Sequence, residues 1–104
     1  MVSQNTLDNI THLLVKEFAP EQVILFGSQA WGVPTGDSDV DIMVIVGEST
    51  EPGHDRAVRA HRALRGVRVP KDVIVETRAE FSFRASAKSS LEHRIRAEGR
   101  LLYG

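Results

Sequence analysis

Four apolar residues near the amino terminus, Leu7, Ile10, Leu14 and Phe18, fall at helical spacing, with Asn5 as N-cap and Pro20 as stop. Gln22–Phe26 (QVILF) is a short apolar run closed by Gly27, which predicts a buried strand. Gly32–Gly36 (GVPTG) carries turn chemistry. Asp39–Val46 (DVDIMVIV) predicts a second strand, and Gly47–His54 an exposed loop. Asp55–Arg65 has a helical pattern ended by Gly66, and Asp72–Thr77 (DVIVET) predicts a third strand. Ser89-x-x-Glu92 has capping-box spacing and opens a helix that runs through Leu91 and Ile95 to Gly99. The ending RLLYG suits a closing strand. Strands alternating with helices imply a layered α/β or α+β arrangement.

Composition narrows the class. A chain of 104 residues is expected to form one small domain with a modest core. Hydrophobic content of 41% and charged content of 26% are those of an ordinary globular protein. A net charge of −1 argues against a nucleic-acid coat, so nucleic acid is not an expected partner. With no cysteine, disulfides and thiolate metal sites are excluded. The start MVSQNTLDNI has neither the basic nor the long apolar region of a signal peptide. Ile42–Val46 is far too short to cross a membrane. The expectation is a soluble, cytoplasmic domain.

The chemistry concentrates between Leu25 and Val46. Asp39 and Asp41 stand at the mouth of the apolar run Ile42–Val46, where an unpaired carboxylate is costly. Strand periodicity points both to one face, their Cα atoms roughly 6.5 Å apart, with Val40 on the other. Two acids so placed suit divalent cations, and two-metal sites hold their ions about 3.5–4 Å apart. Magnesium takes carboxylates together with substrate phosphates. The turn at Gly27-Ser28 answers that need: glycine lets a phosphate approach, free amides face the anion, and the Ser28 hydroxyl adds a donor.

A calcium loop is the competing reading, since Asp37, Asp39, Asp41 and Glu48 occupy positions 1, 3, 5 and 12 of an EF-hand. That loop requires glycine at position 6, where this chain has Ile42. The apolar run IMVIV and the turn before it argue against the reading, and Asp37 and Glu48 are read as solvated loop acids.

Gly27-Ser28, ten residues, then Asp39-x-Asp41 resembles the signature of the DNA-polymerase-β-like nucleotidyltransferase superfamily. The small size and the ending IRAEGRLLYG are similar to its minimal branch, whose members pair with HEPN-domain toxins. The resemblance implies an α+β fold, a small mixed sheet flanked by helices, over a single domain of residues 1–104. It implies two Mg²⁺ ions held by Asp39, Asp41 and Asp72, with Gly27 and Ser28 on the phosphates of ATP. Asp72 is taken as the third acid because the family places it at the start of this strand. Glu76, on the same strand face, is read as an exposed strand-end residue. The implied reaction transfers AMP to a hydroxyl, a tyrosine of a HEPN toxin, so that the chain acts as an antitoxin. No length is left for an acceptor-binding domain, which implies a homo- or hetero-oligomer. One departure matters: the family often carries arginine where this chain has Trp31, read here as an apolar lid. It keeps an alternative open, a weak or inactive antitoxin that neutralises its partner by forming a complex.

The remaining features are weaker. Arg56, Arg59, Arg62 and Arg65 spiral around half of one predicted helix and are read as a solvated face. Arg56-x4-His61 superficially resembles the HEPN ribonuclease motif, but one short helix is not that all-helical fold. His12, His54, His61 and His93 have no metal-ligand spacing, and capping explains Ser89.

Overall fold

The chain's computed structural model describes residues 2–35 and 38–104; the turn glycine Gly36 and the loop acid Asp37 lie outside that description. Leu7, Ile10 and Leu14 are buried along one side of helix α1 (Gln4–Phe18). Ser3, and not Asn5, caps this helix, its side chain accepting from the Thr6 amide. Ala19 closes it in a left-handed conformation at φ 44°.

Strand β1 (Gln22–Phe26) is buried on both faces over Val23–Phe26. It pairs antiparallel with β2 (Val40–Val46) and, on its other edge, antiparallel with β4 (Arg100–Tyr103). β3 (Lys71–Thr77) adds to β2 in parallel, giving a mixed sheet of order β3-β2-β1-β4. A parallel neighbour requires a crossover, and helix α2 (Gly53–Ala63) supplies it. This is the small mixed sheet flanked by helices that the resemblance implied.

The sheet's two faces have separate cores. On the first face, Leu7, Ile10 and Leu14 of α1 and Ala60 of α2 pack on Val23, Leu25, Ile42, Val44, Val73 and Val75. On the second, Phe81 and Ala85 of α3 (Arg78–Ala85) and Ile95 of α4 (Leu91–Glu98) cover Ile24, Phe26, Met43 and Ile45. Each large apolar side chain buried this way contributes about 1.5–3 kcal/mol. Only one end of the second face is covered: Asp39 and Asp72 are exposed and Asp41 is half-buried.

Helix α3 is not marked by the apolar pattern, because β3 passes into it with neither glycine nor proline between. Its signal is Thr77-x-x-Glu80. Thr77 Oγ1 accepts from the Glu80 amide and Glu80 Oε1 accepts from the Thr77 amide, a complete capping box. The expected box at Ser89-x-x-Glu92 shifts by one residue: Ser90 is the cap, accepting from the His93 amide at 3.0 Å.

The solvated arginine face is corrected at two positions. Arg56 is 4% exposed and donates to Glu51 O, to Val75 O and to both Glu80 oxygens. Arg59 pairs with Glu17 and Glu51 and lies 4.6 Å over the Phe18 ring. A helix that crosses from β2 to β3 buries one flank, and the arginines on that flank find acids on neighbouring elements. Among the described residues, no helix is long and apolar enough to cross a membrane.

Candidate active site

Pairing register builds the site. On β2, residues 41, 43 and 45 share the second face, since Met43 and Ile45 belong to its core. Asp41 is opposite Phe26 on β1 and opposite Asp72 on β3. Adjacent strands lie about 4.8 Å apart, so two carboxylates stand side by side at the uncovered end of the sheet. Asp39 precedes β2 at the same end and is close enough to act on Asp41 electrostatically. The Asp41 carboxyl is held above its usual range, first by burial, then by the charges of Asp72 and Asp39. A cation placed there would relieve all three causes.

The glycine turn faces these acids. Phe26 ends β1 and Gly27 begins a single 3-10 turn (Gly27–Gln29) with φ +76°, a conformation that side chains of L residues strain to adopt. A methyl group on Gly27 would overlap Asp41 Oδ2. The turn is closed by the amides of Ala30 and Trp31, both donating to Gly27 O at 2.9 Å. Ser28, half-buried, is held from its other side by Gly32, whose own methyl would come 2.8 Å from Ser28 Cα. The first amides of such a turn have no partner inside it and suit an anion.

The donor set fits hard divalent ions: oxygens only, negatively charged, beside a turn too close for a Cβ. Among the described residues, however, no three acids or histidines are arranged to hold an ion by themselves. Phosphate oxygens and water would therefore complete the coordination, which is the arrangement magnesium favours.

Two residues that matter here, Gln29 and Arg94, carry no sequence signal. Gln29, 6% exposed, accepts from the Val2 amide and donates to Ser38 O, so it ties the approach to Asp39 onto the turn. Trp31 packs its ring 6.1 Å from Phe26, and the Arg94 guanidinium lies 4.3 Å over the indole. Glu76 is a correction: it is 4% exposed, beneath α3 and α4, and not at a solvated strand end. Arg84 donates to its Oε2 at 2.9 Å, and the Glu92 carboxyl stands beside it. Burial pushes the Glu76 carboxyl up to about 7, the Glu92 carboxyl adding to the rise and Arg84 opposing it. The side chain is distant from the acids, since four steps along the strand put its Cα about 13 Å from that of Asp72. A cavity of about 630 Å³ lies at this far end, between Gln22, Ile45, Phe81 and Ile95.

No relative of curated function matches the chain. Among solved structures it is similar to a candidate nucleotidyltransferase from Sulfolobus solfataricus, with 27% identity, a TM-score of 0.62, and coverage of 76% of this chain and 70% of that one. The family model described as "Polymerase beta, Nucleotidyltransferase" matches residues 8–104. With the turn, the strand order and the acids of the second face inside that match, the chain belongs to the polymerase-β nucleotidyltransferase family.

Proposed function

We propose that this chain is a divalent-metal-dependent nucleotidyltransferase that moves AMP from ATP to a hydroxyl of a partner protein. The reading is carried by the register pair Asp41↔Asp72 beside the Gly27 turn. Asp39, Asp41 and Asp72 hold the ions, and Gly27 and Ser28 receive the phosphates. The ions, when bound, acidify the acceptor hydroxyl and neutralise charge on the departing pyrophosphate. The acceptor oxygen forms a bond to the α-phosphorus, the bond from that phosphorus to the bridging oxygen breaks, and pyrophosphate leaves. Asp72, exposed at the edge of the pair, takes the hydroxyl proton. Positioning and electrostatics supply most of the rate in such transfers.

For the acceptor, the resemblance to the minimal branch supports a tyrosine of a HEPN toxin, with the chain as its antitoxin. A second reading rests on Trp31, which packs an indole against Phe26 beside the turn where the family often carries arginine. There the chain silences its partner by occlusion, with little transfer. Incubation with Mg²⁺ and α-labelled ATP, with and without the HEPN protein, separates the two. Label on a partner tyrosine, lost in Asp41→Asn, supports transfer. A stable complex without label supports occlusion, and neither outcome with any HEPN protein rules out both.

A further inference from the structure

Resting on the nucleotidyl-transfer reading, we propose that Arg94, carried on the face of Trp31, binds the β- and γ-phosphates of the incoming nucleotide. The lateral order at the uncovered end of the sheet is Asp72 on β3, Asp41 on β2, Gly27 at the end of β1, then Trp31 against Phe26 with Arg94 above it. A triphosphate whose α-phosphate meets the acids and whose tail crosses the glycine turn therefore runs toward Arg94. The Trp31 amide donates to Gly27 O, so the platform under Arg94 and the phosphate-facing turn are one rigid piece of backbone.

Charge asks for such a group. A nucleoside triphosphate together with three carboxylates outnumbers the charge of two divalent ions, so the tail, farthest from the acids, needs a protein cation. Helices α3 and α4, which cover this face, carry four arginines. Arg78 pairs with Glu21, Arg84 with the buried Glu76, and Arg96 donates to Ala85 O. Arg94 is held differently. Its guanidinium carbon lies over the indole, and a planar guanidinium that rests on a ring keeps its N–H edge free for an anion. Among the described residues that edge meets only Glu98, in a pair about half exposed on both sides and of the kind that contributes little. A phosphate can displace Glu98 without disturbing the stack, and an arginine fork matches phosphate oxygens two at a time.

The test compares nucleotides of different tail length on the full chain with Mg²⁺. Arg94→Ala, a change at an exposed position, should weaken ATP binding by calorimetry about tenfold or more, while AMP binding stays within twofold. In the transfer assay the same variant should raise KM for ATP far more than it lowers kcat. Arg94→Lys, which keeps charge but not the fork, should recover only part of the affinity. Trp31→Phe should keep most of it, because a ring remains beneath the guanidinium. Glu98→Gln should leave ATP affinity equal or higher. Equal ATP affinity in wild type and Arg94→Ala overturns the Arg94 assignment alone. A wild-type chain that binds no ATP with Mg²⁺ overturns it together with the nucleotidyl-transfer reading, and an equal loss of AMP and ATP affinity in Arg94→Ala marks a structural role and also overturns it.

Discussion

The Asp41 carboxylate packs directly against the Cα of Gly27: a methyl group on that glycine would overlap Asp41 Oδ2 and stand 3.1 Å from Cγ. The strand acid and the glycine turn are thus fitted to each other. Gly27→Ala meets both the overlap and a φ of +76°. Left-handed backbone alone costs a non-glycine residue about 1–2 kcal/mol. The variant should melt several degrees lower and lose nucleotide binding in calorimetry, whereas Gly66→Ala, where a methyl meets nothing within 4 Å, should do neither.

Asp41→Asn should separate stability from metal binding. Burial and two neighbouring acids already disfavour the ionised Asp41, so a neutral isostere removes an unfavourable charge. Without divalent ions, the variant should be at least as stable as wild type at pH 7. With Mn²⁺ or Mg²⁺ and ATP, wild type should gain melting temperature by linkage and the variant should gain none. A variant that unfolds without metal, or that gains as much as wild type with it, contradicts the role given to Asp41.

Glu76 makes stability fall as pH rises. Its carboxyl titrates near 7 in the fold, against an ordinary 4.5. The folded state therefore binds this proton more tightly than the unfolded chain does. Its favourable contribution is complete below pH 4.5 and is lost as pH climbs through about 7. The loss should be on the order of 1–3 kcal/mol. Urea unfolding of wild type should show a lower midpoint at pH 8 than at pH 5, and Glu76→Gln should flatten that difference.

Arg56 fastens three elements together, donating to Glu51 O, Val75 O and Glu80 from a nearly closed site. Its hydrogen bond, with that of the Thr77 amide, holds the Glu80 carboxyl down at about 2. Arg56→Met leaves Glu80 with the Thr77 amide alone and takes a donor from the Glu51 and Val75 carbonyls. Removing one partner of a buried pair typically costs about 3–5 kcal/mol. Because Glu80 is 36% exposed and water can replace part of the loss, the lower end is expected, read as a drop in the urea midpoint with no change in slope.

Much of the architecture follows from local pattern. QVILF and DVDIMVIV are apolar on both faces because helices cover both, and that run length identifies β1 and β2 without reference to anything distant. Leu7, Ile10 and Leu14 set the inner side of α1 in the same way. The spacing from Gly27-Ser28 to Asp39-x-Asp41 is also local, and it marks those residues as one set. α3 escaped because its eight residues offer only Phe81 and Ala85 as buried positions, too few for a period to show.

What the chain's order of residues determined was therefore the set of elements and the chemistry carried on them. Only tertiary structure decided which charges are partnered and which are left facing solvent. Asp72 and Glu76 share a strand and a parity, yet α3 and α4 cover one and leave the other open. Arg56 and Arg62 share a helix, yet one meets Glu80 and the other stays exposed. The physical reason is that a side chain's energy in the fold depends on neighbours dozens of residues away, and spacing along the chain carries no record of them.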